Sequence, residues 1–206
     1  RLTDLDADGQ GEVVGSDQRQ WKVIERKASG FEEIDRLSNP TRIGPDSAIG
    51  NVFDFQEAAT GDFDNDGQQD LLVGDRDGDL IVYEAAGDDH IEVAWTQEND
   101  RLYAGTRFAT GDFTGTGRTD FVTLTTSQLT AAPDAERTPP ISYYTVWRNE
   151  GDDDYGRAYR LPLYGSFTLK GGLAPGSLGA ADVDNDGRDE VVVAHPPSLM
   201  VLDRAA

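Results

Sequence analysis

The sequence predicts an all-β fold assembled from repeated four-stranded antiparallel units. Three acidic strings of one design carry that expectation: DLDADGQGE at residues 4–12, DFDNDGQQD at 62–70 and DVDNDGRDE at 182–190. A fourth, DFTGTGRTD at 112–120, keeps the frame but has lost its middle acids. Each string runs straight into a β-rich segment. Glycine is frequent, 23 of 206 residues, as short strands joined by tight turns require.

Aligning the strings places the strands in order. A first strand with small residues leads into each loop: FQEAATGD, RFATGD and SLGAAD before the last three, and only RLTD before the first. A second strand follows, EVVG from Glu12, DLLVG from Asp70, DFVTL from Asp120 and EVVVA from Glu190. A third begins at Trp21, Leu80, Tyr143 and Leu199. A turn (GDD from Gly87, GDDD from Gly151) then leads to a fourth such as IEVAW from Ile91. Valine, isoleucine, leucine and aromatic residues in runs this short favour strands over helices. Four-stranded antiparallel sheets repeated radially make a β-propeller, with approximate repeats at 1–44, 45–99, 100–165 and 166–206, the first and last incomplete.

The loops are 58, 50 and 70 residues apart, and the long interval holds SQLTAAPDAERTPP at 127–140. With no periodicity and three prolines, it reads as an extended loop between the second and third strands of the third unit. The last unit lacks a fourth strand, and the chain begins at Arg1 rather than Met. Both features predict a processed chain or a piece of a larger or partner-completed propeller, with a self-closed four-bladed ring as the alternative.

Charge narrows the partners. The formal net charge is -21, from 28 Asp and 11 Glu against 15 Arg and 3 Lys. Such a chain repels nucleic acid and anionic membrane surfaces. Bound divalent ions would cancel part of the excess. The rest fits a halophilic or GC-rich source, or an ordinary acidic secreted protein kept soluble by its charge. No apolar run is long enough to span a bilayer, and no signal peptide is visible. Cysteine is absent, so metal ions are the available staples.

Carboxylates at loop positions 1, 3, 5 and 9 with glycine at 6 have the spacing of a calcium site. Calcium takes six to eight oxygens at about 2.3–2.6 Å. Alternate side chains turn inward, glycine permits the reversal, and the carbonyl at position 7 can donate. The ligand sets expected are Asp4, Asp6, Asp8 and Glu12; Asp62, Asp64, Asp66 and Asp70; and Asp182, Asp184, Asp186 and Glu190. The carbonyls of Gln10, Gln68 and Arg188 complete them. An EF-hand needs Glu at position 12, where Gly15, Val73 and Val193 stand in strand-like runs, so it is excluded. The loop from Asp112 to Asp120 has Thr114 and Thr116 in place of acids and is expected to be empty or weak. About three Ca2+ sites follow, structural in role.

These loops, with TGDF before and DLLVG after, resemble the FG-GAP/VCBS repeats of integrin α-subunit propellers and secreted microbial proteins. The resemblance covers the whole chain, although the Phe-Gly part is poorly kept (Phe53-Asp54, Phe108-Ala109, Leu178-Gly179). It implies a calcium-binding propeller, commonly seven-bladed, with mostly adhesive or ligand-binding roles; calcium chemistry adds the expectation of a secreted or cell-surface protein used in cell adhesion, protein–protein interaction or assembly. Related repeats in lectins and polysaccharide lyases make a glycan-binding module, or the scaffold of a secreted lyase, the alternatives.

Little else suggests chemistry. His90 and His195 are the only histidines, no Gly-x-Ser-x-Gly string is present, and the Asp pairs are absorbed by the loops. No catalytic residue is expected. Trp21, Trp95 and Trp147 with Tyr143 and Tyr144 are expected to pack between blades, a sugar-stacking platform being the alternative. The acidic run 152–154 reads as a solvated turn, and the 127–140 insertion as a surface for recognition.

Overall fold

The computed structural model describes residues 2–16, 21–41, 55–75, 78–98, 103–126, 142–151, 153–163, 177–195 and 198–203. These residues form four antiparallel sheets. The first runs β1 (Leu2–Thr3), β2 (Glu12–Ser16), β3 (Trp21–Lys27) and β4 (Gly30–Leu37) in order. The second is β5 (Phe55–Gly61), β6 (Asp70–Asp75), β7 (Leu80–Gly87) and β8 (His90–Gln97). The third is β9 (Tyr103–Gly111), β10 (Asp120–Thr126), β11 (Ser142–Gly151) and β12 (Asp154–Leu163). The fourth has three strands, β13 (Leu178–Ala181), β14 (Glu190–His195) and β15 (Ser198–Leu202). Each is a meander of neighbouring strands, the arrangement of a propeller blade. The expected 127–140 insertion lies between β10 and β11, outside the described residues.

Three apolar layers join the four blades. Leu5, Val14, Trp21 and Val23 of the first blade pack on Leu71, Val73 and Tyr83 of the second. Leu72, Val82 and Phe63 of the second meet Phe121, Trp147 and Tyr155 of the third. Val122, Tyr144 and Val146 of the third meet Val191 and Val193 of the fourth. Residues of β6 alternate between two of these layers, so the whole strand is buried and reads as a continuous apolar run. The first strands β5, β9 and β13 lie side by side, as strands around a propeller axis do. At the two ends of the row apolar side chains face outward, Val13 and Phe31 on the first blade and Val183, Leu199 and Val201 on the fourth.

The glycine of the TGD strings has a seam to fit. A Cβ on Gly61 would come 2.9 Å from Thr119 Cγ2 of the next blade. On Gly111 it would come 2.5 Å from Asp189 Oδ2 and 2.8 Å from Ala180 Cβ. Asp189 also accepts the Asp112 N–H at 2.8 Å, while its own N–H donates to the Asp112 carbonyl at 2.9 Å. One residue thus ties the third and fourth blades through side chain and main chain together.

Candidate metal centres

The register closes every loop alike. Thr3 pairs with Glu12, Gly61 with Asp70, Gly111 with Asp120 and Ala181 with Glu190, so each acidic string is the excursion between its first and second strands. The acid at position 9 therefore stands at the base of the loop. In three loops it accepts the N–H of position 2, Leu5 to Glu12 at 2.5 Å, Phe63 to Asp70 at 2.6 Å and Val183 to Glu190 at 2.7 Å. The acid at position 1 accepts from the glycine, Gly9 to Asp4 at 3.2 Å, Gly67 to Asp62 at 3.1 Å and Gly187 to Asp182 at 3.0 Å. Position 5 is gripped by position 7. The Gln10, Gln68 and Arg188 N–H groups donate to Asp8, Asp66 and Asp186 at 2.6, 2.6 and 2.9 Å. Their side chains hold the other oxygen of the same acid.

Two left-handed residues make this winding possible. Glycine at position 6 has φ of 90°, 94° and 90° in Gly9, Gly67 and Gly187. Position 4 is also left-handed, in Ala7 (φ 59°), Asn65 (φ 71°) and Asn185 (φ 64°). The sequence reading singled out only the glycine. The Asn at position 4 was the available signal, because Asn tolerates that conformation better than most residues.

The first loop brings its four acids together. Ligand atoms of Asp4, Asp6, Asp8 and Glu12 all lie within 4.8 Å of one another. In the second loop the same holds for Asp62, Asp64 and Asp66 but not Asp70, and in the fourth for Asp182, Asp184 and Glu190 but not Asp186. Two residue differences accompany the departures. Asp70 stands where the other two loops have Glu and is one methylene shorter. Asp186 is turned onto the Arg188 guanidinium, which holds its pKa below the usual carboxylate value. Of the carbonyls expected from Gln10, Gln68 and Arg188, each follows the left-handed glycine directly.

A cation fits the first two loops because each leaves buried carboxylate oxygens without a protein donor. Glu12 is wholly buried, and its Oε1 has no hydrogen-bond partner; nor do the buried Oδ1 atoms of Asp4 and Asp62. Uncompensated buried carboxylates are costly. Accordingly burial pushes the pKa of Glu12 and of Asp70 up to about 7, with neighbouring acids adding to the effect. Asp64 is raised too, chiefly by burial.

The third loop is closed differently. Thr114 donates both its N–H and its hydroxyl to Asp120 Oδ2, at 2.9 and 2.8 Å, and the Asn149 N–H donates to Asp120 Oδ1 at 2.9 Å. Asp112 accepts from the Thr116 and Gly117 N–H groups at 2.9 and 2.7 Å. Every carboxylate oxygen here has a protein donor, so this donor set does not call for an ion.

The aromatic residues settle into packing. Trp21, Trp147 and Tyr144 are buried, and Trp95 meets Trp147, Phe121 and Tyr155 in edge-on contacts with centroids 5.0–6.2 Å apart. The Tyr143 side chain and the 196–197 prolines lie outside what is described, and His195 ends β14. His90 sits at a hairpin tip, its Nδ1 3.2 Å from Asp35 Oδ2. In the acidic run, Asp154 is exposed at the head of β12 and Asp153 is half-buried.

A repeat protein of blade-like sheets with cation-ready hairpins is what the geometry defines. Residues 62–123 match the family model of the FG-GAP-like repeat, from the second acidic loop through the third and into β10. No curated protein matches the chain. Among solved structures, it is similar to an Agrocybe aegerita lectin described as recognising non-reducing terminal N-acetylglucosamine, at 17% identity and a TM-score of 0.40. The alignment covers 98% of this chain and 61% of the lectin, so the chain spans about three fifths of that protein's length. A likeness that distant assigns no ligand.

Proposed function

We propose that this chain is an extracellular or cell-surface propeller module in which calcium has a structural role and the blades serve adhesion or assembly with protein partners. The observation behind the calcium reading is the set of buried carboxylate oxygens without donors, Asp4 Oδ1, Glu12 Oε1 and Asp62 Oδ1, inside loops whose backbone already converges. Asp4, Asp6, Asp8 and Glu12 would hold one ion, Asp62, Asp64 and Asp66 a second, and Asp182, Asp184 and Glu190 a third, with the position-7 carbonyls assisting. Bound calcium supplies positive charge and no redox or acid–base step. Extracellular modules bind it at about 10⁻⁴–10⁻³ M, useful where calcium is millimolar.

The interaction half of the proposal is supported by the outward-facing Val13, Phe31, Leu199 and Val201 and by the acidic surface, which disfavours nucleic acid. A glycan platform finds less support, since Trp21, Trp147 and Tyr144 are engaged in the core. Calorimetric melting in 1 mM calcium and in chelator tests the metal role. An unchanged melting temperature would end it. Retention of a protein partner from the source's surface fraction, with no glycan bound on an array, would support the interaction role, and the opposite pattern would replace it with the lectin reading.

A further inference from the structure

We propose that the first metal centre spans two blades: Asp88 and Asp89, at the tip of the β7–β8 hairpin of the second blade, join Asp6 of the first blade around the ion, so that occupancy clamps one blade to the next. The inference rests on the calcium reading of the loops.

Asp6 faces two ways. Its carboxylate belongs to the Asp4, Asp6, Asp8 and Glu12 group, and ligand atoms of Asp6, Asp88 and Asp89 form a second group, again within 4.8 Å of one another. Asp6 Oδ2 also accepts the Asp89 N–H at 3.0 Å. Independently of that cluster, Glu12 Oε1 is wholly buried, lacks a donor and belongs to the group that shares Asp6. The basin therefore holds more negative charge than its protein donors balance.

The cation recorded there is Lys27. Its ammonium pairs with buried Glu25 and, at 2.7 Å, with Asp89 Oδ1. That ammonium meets two of the acids gathered here, Glu25 and Asp89. The hairpin is already seated for the purpose: Asp35 of β4 accepts the Ile91 N–H at 2.8 Å and lies against His90. Asp89 is held left-handed at φ 61°, which carries its side chain at the tip. The β11–β12 hairpin of the third blade has a left-handed residue in the matching place, Asp153 at φ 56°. Near that hairpin, Asn149 of β11 donates to the Phe63 carbonyl in the second loop.

Calcium titration calorimetry of the full chain tests this with Asp89→Asn, which keeps the N–H and tolerates the left-handed backbone while removing the charge. One site should weaken by about threefold to tenfold, as loss of one near charge in a partly wet setting implies. The other sites should keep their affinities. Lys27→Met should tighten that same site, because ammonium and calcium draw on one carboxylate. Amide exchange across residues 87–91 should slow with calcium in the wild type and much less in Asp89→Asn. If Asp89→Asn and Asp88→Asn both leave every calcium affinity within twofold, the inter-blade centre is wrong. An equal weakening by Lys27→Met and Asp89→Asn would also overturn it, because the pair would then act only as a structural ion pair. Should Asp64→Ala also leave calcium binding intact, the calcium reading itself has failed, which separates the two claims.

Discussion

In the second loop, Asp62 gives one oxygen to the Gly67 N–H and leaves the other buried without a donor, and Asp70 is pushed toward neutrality. In the third loop, the equivalent Asp112 and Asp120 spend their oxygens on Thr116, Gly117, Thr114 and Asn149. Both hairpins close between the same pair of strands, with glycine left-handed at position 6 (Gly67 φ 94°, Gly117 φ 76°). The backbone turn therefore does not depend on an ion. What differs is the acid count: Asp64 and Asp66 stand where the third loop has Thr114 and Thr116, and of the two loops the second leaves a buried carboxylate oxygen, Asp62 Oδ1, without a donor.

The contrast can be broken most forcefully by removing calcium altogether. At a tenfold excess over the dissociation constant each occupied site adds about 1.4 kcal/mol, so three contribute about 4 kcal/mol. Chelation should then lower the melting temperature by roughly 10 °C for a chain of this size, read by calorimetry. Asp64→Ala should remove about a third of that calcium-dependent gain. Asp112→Ala should instead cost about 1–2 kcal/mol in calcium and chelator alike, since it deletes hydrogen bonds and no ligand, and urea titrations in both conditions separate the cases.

A pH series sharpens the same difference. Glu12 and Asp70 have folded pKa values of about 7, above their ordinary values, because of burial. Their protonation favours the fold fully below the ordinary carboxylate range, and that contribution is lost as pH rises through 7. Chelated protein should therefore melt higher at pH 5 than at pH 7.5. With calcium present the trend should reverse, because protons compete with the ion for the same oxygens. The smallest effect is expected at position 4. Ala7→Gly, which copies Gly115 of the third loop, should stabilise the chain by up to about 1 kcal/mol with or without calcium, by relieving a left-handed alanine.

The frame of the fold was legible because loop spacing and strand pattern are local. The acidic strings located every first-to-second strand turn, and TGD marked the two glycine seams, at Gly61 and Gly111. The packing of Trp21 and Trp147 between blades also followed from their place in strands. Ligand choice was less legible. Position 9 differs by one methylene between Glu12 and Asp70, and Asp186 pairs with a charged neighbour, Arg188, where Asp8 and Asp66 meet Gln. Asp89 was read only as part of a turn. Its approach to Asp6 arises from stacking blades more than eighty residues apart along the chain, which no local pattern encodes. Asn149 escaped notice for the same reason, its side chain reaching from the third blade to the Phe63 carbonyl of the second.

The close approach at Gly111 has an evolutionary corollary. Where Asp189 of the following unit presses on a residue that has no side chain, a duplicated unit cannot be inserted there unless its own eighth loop residue suits the gap. Sister modules in one chain are then bound to a fixed running order, each shaped to its successor, and recombination among them would be filtered at the joints long before any ligand had a say.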